Sequence, residues 1–256
     1  MALQLSIATI TLNSEKTLRD TIASVERQTY RDFEYIIVDG GSTDKTLSIV
    51  KENKGRVANW ISESDEGIYD AMNKAVQMAS GDVIGLLNSD DVYASDDVLS
   101  QVMQVFEEKS DVDMVYGDLI YVASNDLNRE IRLWKTKAFD REFFPGGLVP
   151  PHPTLFVRKK VYEKHLFLKH FQYAADYEFM LRTLHKEGFK SHYLPVVMVR
   201  MRIGGQTSKS LKDVVKGNLE IMQAWRLNGM RPPLAFFLKR PANKFKQFFF
   251  RKKAES

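Results

Sequence analysis

The chain has 256 residues, of which 44% are hydrophobic and 27% are charged, so its composition is that of a globular protein and excludes a disordered or fibrous one. It contains no cysteine, which excludes disulfide scaffolds and cysteine-ligated zinc or iron–sulfur sites and suits a reducing cytosol. No apolar run approaches the roughly 20 residues that a membrane-spanning helix needs, and the first residues do not suggest a secretory signal.

The net charge of +4 is unevenly distributed along the chain. Residues 231–256 contain eight Lys and Arg residues against one acid, a balance of +7, so residues 1–230 carry −3. A slightly acidic body argues against the binding of nucleic acid. We therefore expect one compact domain over residues 1–230 and a basic, phenylalanine-rich tail over 231–256.

The first part of the chain alternates buried-strand runs with amphipathic helical patterns. The strands are predicted at residues 3–12, 34–38, 57–62 and 83–87. Because neighbouring parallel strands need crossover helices, this alternation predicts a mostly parallel, Rossmann-like α/β sheet flanked by helices. Ligands of such sheets bind beyond the carboxyl ends of the strands. Polar residues follow every predicted strand here, namely Thr11, Asn13, Asp39, 63–65 and 88–91.

The pattern becomes less regular after Asp91. A Pro/Gly-rich loop, FPGGLVPPHP, covers residues 144–153 and is too rich in turn residues for a helix or strand. The other elements predicted are a helix at 98–106, a strand at 114–116, a hairpin or meander at 117–133, a strand at 154–158, a helix at 176–184, a strand at 194–202 and a helix at 211–227.

Two adjacent carboxylates, Asp90 and Asp91, follow the fourth predicted strand. They repel each other, and a divalent cation with oxygen ligands, shared with a bound nucleoside diphosphate, would offset that repulsion. The alternative is a helix start, in which one of these acids is an N-cap and residues 95–97 cap the next helix.

The segment Asp39-Gly40-Gly41-Ser42 also has two interpretations. Asp39 is either an acceptor for a base or ribose, with the glycines allowing close backbone approach, or part of a strand-ending turn. In the second case Ser42 or Thr43 would cap the next helix. The segment contains neither a G-x-G-x-x-G loop nor a P-loop lysine, so neither a dinucleotide fold nor a P-loop NTPase is indicated.

Four ordered motifs carry a family resemblance. They are TLNSE (11–15), QTYRDFEYIIVDGGSTDKT (28–46), SESDEGIYDAMNKAVQMASGDVIGLLNSDD (62–91) and AADYEFMLR (174–182). Together they resemble the inverting glycosyltransferases of family 2, which have the GT-A fold, and most of all bacterial polysaccharide-assembly members such as the colanic-acid transferases. The resemblance covers roughly residues 4–205, and the order and spacing of several motifs make it specific.

The resemblance implies a donor site for a nucleotide-sugar, with UDP as the expected nucleotide, in a nucleotide-binding half up to about residue 115. Residues 116–230 would form the acceptor half. Arg202 with residues 204–208 resembles the segment that closes over the diphosphate. The implied donor-binding residues are Thr11, Asn13, Asp39, Asp65, Asp70, Asn73, Asn88, Asp90 and Arg202.

Asp90 and Asp91 match the end of the family's D-x-D signature and would bind a divalent cation, Mn²⁺ or Mg²⁺. The usual first Asp of that signature is Asn88 here, which weakens the metal site or moves its burden to Asp90 and Asp91.

Asp176 matches the general base of the family's ED motif, although the preceding acid is Ala175 here. Displacing a nucleoside diphosphate requires stabilisation of the departing charge and a base near the acceptor hydroxyl. A single carboxylate facing the donor from the opposite side gives in-line attack and inversion. The alternative is that Asp176 is the N-cap of the helix that follows. His152, between two prolines, is expected on the acceptor side or packed on the surface.

Residues 231–253 combine the basic cluster with phenylalanines at helical spacing, interrupted by Pro241. Cationic amphipathic segments with aromatic faces lie in membrane interfaces, where anionic lipids attract them. The alternatives are a helix that packs on the domain or a dimer contact. We expect a cytoplasmic protein held at the inner face of the cytoplasmic membrane, with a glycan or lipid-linked saccharide as acceptor.

Two other functions are open at this stage. A sugar-phosphate nucleotidyltransferase would need a glycine-rich basic loop after the first strand, and TLNSEKTLR provides no glycine. A non-catalytic nucleotide- or glycan-binding module with the same fold would be consistent with Asn88 and Ala175, where acids of the family's pattern are replaced.

Overall fold

A nine-stranded mixed sheet organises the chain, in the order β3-β2-β1-β4-β8-β6-β9-β5, with β7 added at the side of β6. The computed structural model describes residues 3–204 and 211–246. The strands are β1 (Leu5–Thr11), β2 (Phe33–Asp39), β3 (Asn59–Ser62), β4 (Val83–Asn88), β5 (Asp91–Tyr93), β6 (Met114–Ala123), β7 (Asp126–Trp134), β8 (Phe156–Arg158) and β9 (Ser191–Arg202).

Helices cover both faces of this sheet. They are α1 (Leu18–Glu26), α2 (Thr46–Glu52), α3 (Ile68–Met78), α4 (Val98–Glu108), α5 (Lys159–Tyr162), α6 (Ala175–Met180), α7 (Leu211–Leu227) and α8 (Leu234–Lys246). A π-helical segment, Leu181–Lys186, continues α6, so the helix predicted at 176–184 changes its winding halfway.

The first four strands of the chain pair in parallel, as predicted. Side chains alternate between the two faces of a strand. Ile7 therefore packs into one core with α1, α2 and α4, and Ala8 packs into the other with α3, α6 and α7. Burial on both faces explains why these strands read as continuous apolar runs.

The second half of the sheet is mixed. β8 pairs antiparallel with both β4 and β6, β9 runs parallel to β6, and β5 is antiparallel to β9. The predicted hairpin at 117–133 is β6 with β7. The fold is therefore α/β with a mostly parallel, curled half and an antiparallel extension.

Two predicted helix starts are wrong. Asp91 begins strand β5, because its backbone pairs with Met201 of β9 and cannot cap a helix. The helix after β2 begins at Thr46, whose backbone N–H donates to Asp44 Oδ1 at 2.9 Å, so neither Ser42 nor Thr43 caps it.

Helix α8 packs against the body of the protein along one side. The buried ring of Phe236 contacts Trp225 at a centroid distance of 6.1 Å, and Asn243 Nδ2 donates to the carbonyl oxygen of Gly146 at 2.9 Å. The helix continues through Pro241, where the sequence predicted an interruption. The rest of the predicted tail, residues 247–256, lies outside the described residues. Within the described ranges, no helix combines the length and apolarity needed to span a bilayer.

We expect Gly147→Ala to weaken the contact between the loop at 144–153 and α8. Gly147 has a φ of +76°, and an added Cβ would lie 2.7 Å from the backbone nitrogen of Arg240. Gly188 is the matched control, because its φ is +74° and its Cβ would meet nothing within 4 Å.

Both variants should lose about 1–2 kcal/mol from the left-handed backbone conformation, and Gly147→Ala should lose more because the clash is added. Urea unfolding measures both free energies. Equal losses would mean that α8 does not lie against Gly147.

Candidate active site

The carboxyl ends of β1 to β4 meet at one edge of the sheet. Thr11 pairs with Asp39 across β1 and β2, and Asp39 pairs with Ser62 of β3. Asn88 ends β4 opposite Ile10. The convergence of these strand ends, predicted from the sequence, is confirmed.

The carboxylate of Asp39 is fully buried and holds the loop after β2. Its Oδ2 accepts the backbone N–H groups of Gly41 and Ser42 at 3.2 and 3.0 Å, and the hydroxyl of Ser62 at 2.7 Å. The hydroxyl of Ser42 donates to Oδ1. Asp39 therefore shapes the loop through its side chain.

Asn13 connects the loop after β1 to the loop after β2. Its φ of 50° is in the left-handed region, which Asn tolerates better than most residues. Its Oδ1 accepts the backbone N–H of Thr43 at 2.9 Å, and its own N–H donates to Ser42 Oγ at 2.7 Å. The buried Thr11 Oγ1 has no hydrogen-bond partner among the residues described, so it is a free polar atom at this edge.

Asp65 and Asp70 surround the ammonium group of Lys74. The distances from Lys74 Nζ to their carboxylates are 2.5 and 3.4 Å, and Asp70 also pairs with Lys169 at 3.1 Å. Hydrogen bonds from Lys74 to Asp65 and Glu63 raise the pKa of its ammonium group, which keeps it charged. Lys74 therefore binds the start of α3 to the loop in front of it.

Asn73 has a structural contact on both sides of its amide. Its Nδ2 donates to the carbonyl oxygen of Phe167, and its Oδ1 accepts the N–H of the same residue, both at 2.9 Å. The side chain thus fixes the loop in front of α6.

The Asp91 side chain is fully buried, and its Oδ1 has no hydrogen-bond partner in the described part of the chain. Asn88 Nδ2 approaches its Oδ2 at 3.4 Å. Burial and the neighbouring charge of Asp90 raise the pKa of Asp91 well above its usual range, and burial also raises the pKa of Asp90.

A fully buried carboxyl group with an unpaired oxygen, beside the half-buried Asp90, fits a cation, which would restore the ionised state of both groups. Within residues 3–204 and 211–246, no group of three or more His, Cys, Asp or Glu side chains is arranged to hold a metal ion. The ion would therefore need further oxygen ligands from a bound molecule.

Arg202 lies buried beside this pair. Its guanidinium donates to the carbonyl oxygen of Asp90 at 2.7 Å and to Asp20 Oδ2 at 2.5 Å. It thereby fixes the turn that carries the acidic pair. Residues 205–208 of the predicted closing segment lie outside the described residues.

Asp176 is the second residue of α6, so it is not the N-cap. Its Oδ1 accepts the phenol hydroxyl of Tyr69 at 3.0 Å. Burial raises the pKa of Tyr121, and the charges of Asp91 and Asp176 both add to this rise. The charge of Arg132 opposes the rise, and Tyr121 lies within electrostatic reach of both Asp91 and Asp176.

His152 is buried, with 7% of its surface exposed, so the alternative that it packs on the surface is wrong. Its ring meets Phe167 edge to face at 5.5 Å between centroids. Burial lowers the pKa of His152, and the charge of Asp176 opposes that shift only in part. The imidazole of His152 is therefore neutral at neutral pH.

Two residues near the site, Tyr121 and Arg132, escaped sequence reasoning. The guanidinium of Arg132 lies 4.0 Å from the ring centroid of Tyr121, and Trp134 stacks parallel to that ring at 6.3 Å. Tyr121 pairs with Arg132 on β7 and with Met201 on β9, and Met201 pairs with Asp91. The pairing of β7, β6, β9 and β5, which the sequence does not show, places these residues side by side across the sheet.

Comparisons with known proteins agree with this architecture. A sequence profile of the family described as "Glycosyl transferase family 2" matches residues 6–166. The chain is 31% identical over 212 residues to the PGL/p-HBAD biosynthesis glycosyltransferase of Mycobacterium tuberculosis H37Ra, covering 81% of this chain and 80% of that relative.

Two solved structures are similar in fold. One is S. aureus TarS 1-349 in complex with UDP-GlcNAc, with a TM-score of 0.69 and 17% identity over 95% of this chain and 73% of that one. The other is the mannosyltransferase PcManGT of Pyrobaculum calidifontis in complex with GDP-Man and Mn²⁺, with a TM-score of 0.66 and 16% identity over 98% and 76% of the two chains. The predicted GT-A fold is confirmed.

Proposed function

Because the chain belongs to glycosyltransferase family 2 and is a glycosyltransferase, we propose that it transfers a sugar with inversion from a UDP-sugar to a glycan or lipid-linked saccharide in bacterial surface polysaccharide synthesis. One observation carries the proposal. Asp176 accepts a hydrogen bond at 3.0 Å from Tyr69, which lies at the start of α3 directly after the donor-side loop. Tyr121 lies within electrostatic reach of both Asp176 and Asp91. This arrangement supports a base and a leaving-group site that act together.

The donor binds at the carboxyl edge of β1 to β4, in the nucleotide-binding half up to about residue 115. The free hydroxyl of Thr11 and the loop that Asn13 and Asp39 shape would receive the base and ribose. TarS, which shares this fold, was solved with UDP-GlcNAc, and this supports a uridine nucleotide. Asp65 and Asp70 would act through Lys74, and Asn73 through the loop at Phe167.

A divalent cation, Mn²⁺ or Mg²⁺, would be held by Asp90 and Asp91, with Asn88 beside them. When bound, such an ion neutralises the negative charge that develops on the departing diphosphate. PcManGT, of similar fold, was solved with Mn²⁺. Arg202 would keep the acidic pair in place through its bond to the Asp90 carbonyl group.

Asp176 would take the proton of the acceptor hydroxyl, in the acceptor half at 116–230. The hydrogen bond from Tyr69 engages Oδ1 and leaves Oδ2 for the acceptor. His152 would contribute a neutral imidazole on the acceptor side, because a buried neutral ring can donate or accept a hydrogen bond without competing for the charge of the base.

The C-terminal helices would hold the protein at the inner face of the cytoplasmic membrane. Large apolar side chains are exposed there, with Leu234 at 88% and Leu238 at 79%. The same helices carry cations, which anionic headgroups attract. The exposed apolar residues of α7 and α8 are Val214, Val215, Leu219, Leu227, Leu234, Phe237 and Leu238.

We expect Asp176→Asn to lower the transfer rate by about 10²–10⁴-fold, because an amide cannot accept the acceptor proton. Affinity for UDP with Mn²⁺, measured by calorimetry, should change little. Asp32→Asn is the control, since Asp32 is exposed and precedes β2, at the opposite edge of the sheet. Retained transfer, or lost UDP binding, would refute the assigned role of Asp176.

We expect Asp91→Asn to remove most of the thermal stabilisation that Mn²⁺ adds to the UDP complex, because a neutral amide replaces a charged ligand of the ion. Melting curves with UDP alone, Mn²⁺ alone and both ligands measure this, again with Asp32→Asn as control. If the variant gains as much from Mn²⁺ as the wild type does, the ion lies elsewhere.

We expect the double variant Leu234→Ala/Leu238→Ala to bind several-fold less to vesicles of phosphatidylcholine and phosphatidylglycerol, because each exposed leucine loses apolar area that the membrane would bury. Co-sedimentation is the measurement. The control is Leu12→Ala/Ile68→Ala, whose side chains are 49% and 45% exposed on other elements. Equal binding by both variants and the wild type would exclude a membrane role for α8.

A further inference from the structure

Tyr69 lies at the start of α3, directly after the donor-side loop, and its ring is buried with 6% of its surface exposed. The ring stacks on Phe167 at 6.0 Å between centroids, so packing fixes its direction. Its hydroxyl lies 3.0 Å from Oδ1 of Asp176, 107 residues later in the chain. The contact thus joins a donor-side helix to the proposed catalytic base.

The chemistry of the two groups fixes the direction of this hydrogen bond, with Tyr69 as donor and Asp176 as acceptor. Burial, and then the charge of Asp176, raise the pKa of Tyr69 well above its usual range, so the phenol stays protonated. An ionised carboxylate only accepts hydrogen bonds, so Tyr69 is a permanent donor to Asp176. A buried donor of this kind orients the carboxylate plane.

We propose that Tyr69 is a positioning residue, which holds Oδ1 of Asp176 so that Oδ2 faces the acceptor hydroxyl. The inference rests on the proposed role of Asp176 as general base. Because Lys74 on the same helix binds Asp65 at 2.5 Å, α3 also connects the donor loop to the base through one rigid element. Through Tyr69, the helix that contacts the donor loop would therefore also set the orientation of the Asp176 carboxylate.

Other titratable groups also face Asp176. Tyr121 of β6, His152 in front of β8 and Arg240 of α8 all lie within electrostatic reach of its carboxylate, and Glu220 of α7 lies within reach of Tyr69. Tyr69 is the group that donates a side-chain hydrogen bond to the Asp176 carboxylate within the described part of the chain. Removing the phenol hydroxyl therefore alters the base directly and leaves these other charges unchanged.

The test is Tyr69→Phe in the full-length chain, which keeps the ring and removes the hydroxyl. We expect kcat to fall on the order of 10²-fold from misplacement of the base, with the KM for the UDP-sugar unchanged. The acidic limb of the kcat/KM profile should move to higher pH, because a donor to the charged carboxylate is lost. If Tyr69 had only a structural role, its replacement by Phe would not shift the pH profile and would not lower kcat while the KM stays unchanged.

The matched control is Tyr162→Phe. Tyr162 is buried in the same core and stacks on Phe179 at 5.2 Å. In urea unfolding, the Tyr162→Phe variant should lose about as much free energy of unfolding as Tyr69→Phe does. Its pH profile should remain that of the wild type.

If Tyr69→Phe keeps the wild-type pH profile and kcat, the positioning role is overturned, whereas an inactive Asp176→Asn still supports the base. If Asp176→Asn retains transfer, the base assignment fails and the role of Tyr69 fails with it. A Tyr69→Phe variant whose losses match those of Tyr162→Phe would also overturn the proposal.

Discussion

The site depends on two adjacent acidic side chains, of which the fold buries Asp91 fully and leaves Asp90 half-buried. Asp91 begins β5, and its pairing with β9 takes the carboxyl group out of water with one oxygen unpaired. A buried carboxyl group without partners either stays protonated or requires a cation. Two neighbouring side chains hold these acids in place. Arg202 donates to the carbonyl oxygen of Asp90, and the Asn88 amide donates to Asp91. This end of the sheet is therefore prepared for a positively charged ligand.

The parallel half of the fold was readable from the sequence because its signals are local. Each strand is a continuous apolar run that ends in polar residues, and the helices between them show clear periodicity. Thr11, Asp39 and Asn88 consequently lie at one edge, where the sequence predicted them. The second half was harder, because β8, β6, β9 and β5 pair out of chain order. Their neighbours depend on long-range packing that no window of sequence contains.

The same reasoning explains which site residues were missed or misjudged. His152 was expected in a rigid, proline-flanked loop at the surface, but the loop folds inward onto Phe167. Asn73 carries no local sign that its amide would bind the backbone 94 residues later. Tyr69 stood inside a recognised motif, yet its contact with Asp176 depends on how α3 and α6 pack. The two departures from the family pattern, Asn88 and Ala175, have different surroundings. Asn88 donates a hydrogen bond to Asp91, and Ala175 is fully buried in the core.

The backbone contact between Gly147 and Arg240 has a consequence for related sequences. A glycine is required there because a helix rests directly on the loop, with no room for a side chain between the two main chains. Any relative that carries a larger residue at the corresponding position must therefore direct its last helix along another path. That one position can be used as a marker to sort homologues by how their C-terminal segment meets the loop at residues 144–153.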